Sequence, residues 1–453
     1  MIEEARRFFG FEAPDRAEPA RVIAAPSAQK WDFLRNVIVL GGGSAVAQAL
    51  ALALSPVITR LYAPAELGAL GVFTTFLNVA AVGVALRYEF AIVSAVTEHD
   101  AALLTLLSML IAAPVSVLGG LVFAFMIQQA LFGFGTLPMY STVLTIPALF
   151  LAACFAALRY WFVRQQGFGV VSRGFVAQSC ARSISQLLFG AVGFGAPGLM
   201  LGEMLGRCAG VGRMLRGAWP NLKRHAISAG RDDCIELMKR NRKFPILSLP
   251  SSFIDTLASN IALPLLVALY GVAAGGHFAL VQKSIGLPLF LVSASVADAF
   301  HSRLAEHART KPDQVLPLFR RMTLGLAAVG FVPMLLLILF GRPAFAFLFG
   351  QRWELAGTMG SIIAPWYLAQ FIVSPLTRLV LVFQGQEFKL AYDVAALLSI
   401  LAIFSVAKHA GMSLVHTIAA FSAANVLSYA LYYLVLLRII SRAAQKRPAH
   451  DIQ

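Results

Sequence analysis

The sequence predicts an all-α, polytopic membrane protein with about twelve transmembrane helices, arranged as two pseudo-symmetric six-helix lobes around a central cavity. Three observations lead there. Hydrophobic residues fill 58% of the 453 positions and charged residues only 13%, with a mean hydropathy of +0.75; an average soluble domain carries about 25% charged residues. Residues 37–58, 103–127, 322–340 and 414–437 are runs of about 20 positions without Asp, Glu, Lys or Arg, the length a helix needs to cross roughly 30 Å of hydrocarbon. Strand-like alternation is missing, which argues against a β-barrel.

The elements follow in order. Residues 1–33 mix Glu3, Glu4, Asp15 and Glu18 with Arg6, Arg7, Arg16 and Arg21 and hold no apolar signal region or cleavage site. They are expected to form a cytoplasmic arm, which makes the first span an uncleaved anchor. The remaining spans fall near 67–96, 143–162, 175–194, 198–215, 245–269, 275–299, 357–383 and 390–406. Residues 34–217 then form an N-lobe of helices one to six. Residues 218–243 form a basic cytoplasmic linker, 244–440 a C-lobe of helices seven to twelve, and 441–453 a cytoplasmic tail. Within the linker, 232–243 is amphipathic and either lies on the membrane surface or forms a solvated helix between lobes. Proline recurs inside spans, at Pro56, Pro114, Pro147, Pro250, Pro264, Pro288, Pro333, Pro365 and Pro375, and each removes a backbone hydrogen bond and favours a kink.

The net charge of +15 reflects topology rather than nucleic acid. With the N-terminus inside, only Arg60, Arg342, Arg352 and Lys408 of the 37 lysines and arginines fall in outer loops. The basic excess on the other side places both termini in the cytoplasm of a bacterial inner membrane. Cys154, Cys180, Cys208 and Cys234 have neither metal-ligand spacing nor an oxidising location, so no disulfide or metal site is expected.

The halves repeat. A shift of 208 positions superimposes Pro56 on Pro264, Leu61 and Tyr62 on Leu269 and Tyr270, Ala65 on Ala273 and Gly68 on Gly276. Each set marks the end of one lobe's first span and the start of its second. Both copies run the same way through the membrane, which predicts lobes related by an axis along the membrane normal.

Polar residues inside spans mark candidate sites, because each costs free energy unless it faces protein or water. Span seven carries Ser252, Asp255, Thr256, Ser259 and Asn260 at helical spacing along one stripe. Span one carries Gln48; span two carries Asn78 and, near its inner end, Arg87 and Glu89; span eight carries Gln282 and Lys283. These groups either line a wet central cavity or hydrogen-bond between packed helices. Lys283 is the deepest cation, about 12 Å from the outer end of its span, suited to a phosphate or to an acid partner. Arg87, Arg159, Arg182 and Arg378 are expected close enough to the inner face to snorkel, and Asp393, near an inner helix end, is expected to be hydrated. There is no phosphate-binding loop of the Gly-x-x-x-x-Gly-Lys-Ser/Thr type and no His-Glu-x-x-His. The outer loops are too short for the catalytic domain of a glycan polymerase.

The run Ser55-Pro-Val-Ile-Thr-Arg-Leu-Tyr-Ala-Pro-Ala-Glu-Leu-Gly68, followed by Leu86-Arg-Tyr-Glu-Phe-Ala-Ile-Val93, resembles oligosaccharide flippases. These form the polysaccharide-export (Wzx-type) branch of the multidrug/oligosaccharidyl-lipid/polysaccharide (MOP) exporter superfamily. Phe244-Pro245, Leu263-Pro264, Gly286-Leu-Pro288 and Phe347-Leu-Phe-Gly-Gln-Arg-Trp-Glu-Leu-Ala-Gly357 continue the likeness in the right order. The resemblance implies a non-enzymatic, cofactor-free flippase that moves undecaprenyl-diphosphate-linked oligosaccharide from the cytoplasmic to the periplasmic leaflet, for O-antigen, capsule or exopolysaccharide assembly. It also implies membrane lipids and a polysaccharide polymerase complex as partners. Two alternatives stay open: a drug/cation antiporter of the same superfamily, with Glu203 and Asp255 as candidate acids, and a membrane glycan polymerase or acyltransferase.

Overall fold

The computed structural model describes residues 42–227, 230–310, 312–383 and 386–445. The expected arm (1–33), the start of the first predicted span and most of the expected tail lie outside them. The described chain is helical and contains no strand. The helices are α1 (Gly42–Leu61), α2 (Pro64–Val84), α3 (Glu98–Gln128), α4 (Tyr140–Arg164), α5 (Phe168–Ala191) and α6 (Gly195–Ile227), then the short α7 (Arg231–Arg240). The second half holds α8 (Leu249–Asn260), α9 (Ala262–Tyr270), α10 (Val272–Val281), α11 (Leu287–Thr310), α12 (Val315–Phe349), α13 (Glu354–Leu376), α14 (Gln386–His409) and α15 (Leu414–Gln445). Among the described residues nine helices are long and apolar enough to cross a membrane, ten if the bent pair α8–α9 counts as one span. The less apolar α5 and α6, of 24 and 33 residues, are also long enough to cross at 1.5 Å per residue. The protein is a multi-pass membrane protein.

Three breaks depart from straight spans, and each has a local cause. Span two was expected to reach residue 96, but α2 stops at Val84. Leu86 and Arg87 both take the left-handed conformation, with φ of 51° and 65°, so the chain turns into the short helices Tyr88–Phe90 and Ala91–Ser94. Span seven bends by 41° between α8 and α9, where Pro264 has no N–H to give the Asn260 carbonyl four residues back. Span eight is interrupted by the π-helical turn Gln282–Gly286 just before Pro288, which likewise leaves the Ser284 carbonyl without its usual donor.

The apolar packing explains how a cavity arises. One core joins the two halves: Tyr62, Phe73 and Leu77 pack in the same cluster as Leu263, Phe278, Trp353 and Phe421. Two further cores each belong to one half. Leu104, Trp161 and Met214 pack in the first, and Phe300, Phe319 and Leu436 in the second. The halves are therefore sealed together at one end and packed separately at the other.

The seal is made by the repeated residues. Gly68 of α2 lies directly against the backbone of Val272, and Gly276 of α10 against the Pro64 carbonyl, so the two equivalent glycines let α2 and α10 cross backbone to backbone. The Trp353 indole N–H donates to the Thr59 carbonyl at 2.9 Å, and the Thr59 hydroxyl donates to the Phe349 carbonyl at 3.3 Å. The equivalent tyrosines also do matching work inside their own halves. Tyr62 donates to the Gln186 carbonyl at 2.7 Å, near the α5–α6 turn, and Tyr270 donates to the Met412 carbonyl at 2.8 Å, in the α14–α15 turn.

The amphipathic linker stretch contains α7. Leu237 is buried in the first half's own core, and Tyr88 donates to the Met238 carbonyl at 3.4 Å. The helix is docked on the protein. All four cysteines are free.

Candidate functional site

Next to the seal lies a central cavity of about 650 Å³ between the halves. From the first half it is lined by Leu67, Leu70, Gly71, Thr74, Thr75 and Asn78 of α2, with Gln186 of α5 and Leu199 of α6. Thr74 returns its hydroxyl to the Leu70 carbonyl at 2.9 Å, so it needs no partner on another helix. From the second half come Asp255, Ser259 and Asn260 of α8, then Gln282 and Lys283 of the π-helical turn. Trp366, Tyr367 and Gln370 of α13, Tyr392 and Asp393 of α14, and Phe421, Asn425 and Tyr429 of α15 complete the wall.

The twelve candidates from the sequence take separate places in the structure. Lys283, Gln282, Asn78, Asp255, Ser259 and Asn260 line it, while Ser252 and Thr256, on the same stripe of α8, are not part of the lining. The Thr256 carbonyl instead accepts from the Asn260 amide at 2.8 Å. Gln48 belongs to a second cavity of about 300 Å³ inside the first half, shared with Gln178, Arg159 and Arg182. Arg87 and Glu89 form an ion pair at 3.8 Å beyond the end of α2, and Arg378 follows α13; none of these three lines the central cavity. The four arginines expected to snorkel therefore do not act alike. Arg182, about 21 Å along α5, pairs with Glu203 at 3.4 Å, and Glu203 also accepts from Arg207 at 3.2 Å. Arg159 donates to the Tyr160 hydroxyl at 2.9 Å.

Lys283 is the one lysine or arginine among the described lining residues of the central cavity. It is half-buried and makes no ion pair or hydrogen bond with a described residue. Its electrostatic neighbours are Arg182 and Glu203 of the first half. The Arg182–Glu203–Arg207 triad thus sets the field on one side of Lys283.

Elsewhere on the cavity wall the carboxylates are paired. Lys389 bridges Asp255 at 3.2 Å and Asp393 at 2.6 Å. Asp393, expected to be hydrated, is 8% exposed and sits beside this ammonium; α8 and α14 pack against each other and bring the three groups together. Sequence spacing alone does not join residues 134 positions apart. Aromatic side chains extend this wall. Tyr392 stacks on Tyr432 at 4.3 Å between ring centroids and lies 6.0 Å from Tyr429, while Trp366 stacks on Tyr367 at 5.0 Å. The Trp366 indole N–H is buried without a partner among the described residues, and Trp366 borders the cavity. The sequence reading passed over Trp366, Gln370, Lys389, Asn425 and Tyr429. Gln370 and Asn425 carry the signal used elsewhere, a polar residue in an apolar span, whereas a tyrosine or tryptophan reads equally well as a membrane-interface residue. Among the described residues no group of three His, Cys, Asp or Glu side chains is placed to hold a metal ion.

The arrangement can hold a polar, anionic headgroup. A cation, amides and hydroxyls along the walls and aromatic rings suit a ligand with phosphate and sugar-like character.

No family model matches the chain, and no curated protein matches it. Solved structures do. The chain is similar to a multidrug resistance MATE family transporter of the MOP superfamily in an inward-facing conformation, at 12% identity with a TM-score of 0.65, covering 88% of this chain and 96% of that one. It is equally similar to the lipid II flippase MurJ in an inward closed conformation, at 12% identity and a TM-score of 0.65, covering 90% and 91%. A MOP superfamily transporter from Pyrococcus furiosus matches at 13% identity and a TM-score of 0.60, covering 92% and 96%. The chain shares the fold of these transporters over nearly its whole length.

Proposed function

We propose that the protein is an alternating-access flippase of the MOP superfamily. In this reading it carries a polyprenyl-diphosphate-linked oligosaccharide, undecaprenyl-linked in a bacterial inner membrane, from the cytoplasmic to the periplasmic leaflet for surface polysaccharide assembly. The observation that carries the reading is Lys283, which makes no ion pair or hydrogen bond with a described residue and lines a cavity whose wall also carries aromatic rings and amides. Sugar C–H faces stack on rings such as Tyr392 and Trp366, and sugar hydroxyls match the amides Gln370 and Asn425. A diphosphate cannot cross hydrocarbon unaided, because burying an unpaired charge is prohibitive, and an ammonium in a low-dielectric cavity offsets much of that cost. The polyprenyl tail stays in lipid throughout, and no covalent step is required.

The basic-residue asymmetry supports cytoplasmic termini and, with them, a seal at the periplasmic end. The seal of Gly68, Gly276, Thr59 and Trp353 then closes the outer side, and transport requires it to part while the two separate cores approach each other. The MurJ and MATE folds support a transporter, and MurJ supports a lipid-linked cargo. The test is reconstitution in proteoliposomes with fluorescent undecaprenyl-diphosphate oligosaccharide. Leaflet reversal that depends on the protein is the expected result. No reversal, or a new covalent product, would overturn the reading.

A second reading has its own observation. The Asp255–Lys389–Asp393 cluster is the compact acid site a drug/cation antiporter needs, whereas Glu203 is already held by two arginines. Gradient-driven dye efflux without leaflet reversal would select the antiporter.

A further inference from the structure

A groove of about 560 Å³ lies on the first half, away from the central cavity, between α5 and α6. Three exposed arginines line it, Arg173 from α5 and Arg213 and Arg216 from α6, and no acidic side chain does. Its floor is made of small residues, Ala177, Ala209 and Gly212 among them. A Cβ added at Gly212 would meet nothing within 4 Å, so the space beside it is open.

The level of these arginines in the bilayer follows from helix geometry. α5 and α6 are antiparallel and joined by a short turn after Ala191. At 1.5 Å per residue, Arg173 lies about 27 Å from that turn along α5, and Arg213 and Arg216 lie about 27 and 32 Å from it along α6. With a hydrocarbon core of roughly 30 Å, all three guanidinium groups stand at the height of the phosphates of one leaflet, and the small-residue floor lies at acyl-chain depth. The Arg173 Nε donates to the Gly169 carbonyl at 3.1 Å, which fixes its side chain and leaves its terminal N–H groups free. Arg213 and Arg216 make no hydrogen bond or ion pair with a described residue. Charges meant only to orient the chain need no concave floor between them. A volume of 560 Å³ lies within the range of small-molecule sites.

We propose that this groove is a binding site for an anionic phospholipid of the bilayer, its phosphate gripped by Arg173, Arg213 and Arg216 and one acyl chain laid over Ala177, Ala209 and Gly212. The site is independent of the central cavity and of the cargo proposed for it. Guanidinium groups match phosphate oxygens with paired donors, and basic pockets between spanning helices are where headgroups of this charge settle.

The test uses the full chain in nanodiscs of phosphatidylcholine doped with phosphatidylglycerol, followed by gentle transfer to detergent and native mass spectrometry. The wild type should retain phosphatidylglycerol in preference to phosphatidylcholine. R213Q/R216Q should weaken that preference by about fivefold per arginine, about 25-fold in all. The control pair R320Q/R321Q removes two exposed arginines near the start of α12, which are not part of the groove, and should change it less than about twofold. Gly212→Leu fills the floor without altering charge and should also release the lipid. Equal losses in the groove pair and the control pair would reduce the effect to surface potential and overturn the site. So would full retention in the Gly212→Leu protein, or no lipid preference in the wild type.

Discussion

Replacing Glu203 by Gln tests the buried charge balance beside the cavity most sharply. Glu203 is 6% exposed and lies 3.4 Å from Arg182 and 3.2 Å from Arg207, whose side chains are 27% and 12% exposed. At an effective dielectric of 20, each contact is worth about 5 kcal/mol of gross attraction, most of which is already cancelled by desolvation of the three groups. Neutralising the acid leaves two arginines facing each other and Lys283 beside Arg182 with no compensating acid. Breaking a buried pair typically costs 3–5 kcal/mol. The part-exposed Arg182 can recover some hydration, which sets the expectation at the lower end, about 3 kcal/mol. In detergent that corresponds to a fall in apparent Tm of about 3 °C, read by thiol-reactive or tryptophan fluorescence. E203Q/R207Q removes one stranded charge as well and should recover roughly half of the loss. A Glu203→Gln protein that melts with the wild type would refute the reasoning, because it would mean that water, not Glu203, balances the arginines.

Other outcomes follow from the same geometry. Lys283→Ala should cut leaflet reversal at least about tenfold at normal abundance and Tm, while Lys283→Arg, which keeps the charge, should retain part of it; normal transport by the alanine variant would remove Lys283 from the site. Gly276→Val places side-chain atoms against the Pro64 carbonyl and forces α2 and α10 apart, a change on the order of 1–3 kcal/mol. In a variant lacking the native cysteines, a cysteine at Ile58, 3% exposed, should then react faster with a membrane-impermeant maleimide added outside, and an unchanged rate would mean the seal lies elsewhere. A periplasm-active reporter fused after Gln453 should stay silent, and strong activity would reverse the orientation drawn from the basic residues.

The sequence by itself determined what depends on composition and local spacing. Apolar runs of span length, with almost no charge inside them, leave a helix as the only structure that satisfies its backbone in lipid, so the all-α membrane fold was legible. The 208-residue repeat was legible as well, and Gly68 and Gly276 turned out to touch each other across the interface of the halves. Polar positions such as Lys283, Asn78 and Asp255 stood out because an apolar span makes any exception conspicuous. Tertiary structure decided what depends on which helix meets which. The stripe of α8 borders the cavity only in part: Asp255, Ser259 and Asn260 line it and Ser252 and Thr256 do not. Arg182 was read as a group reaching for the membrane surface. It is instead neutralised by Glu203, since α5 and α6 pack side by side and bring an acid 21 positions away within 3.4 Å. Asp393 joined Asp255 through Lys389 for the same reason. A charge in a membrane takes its meaning from its nearest counter-charge, and sequence separation carries no information about that distance.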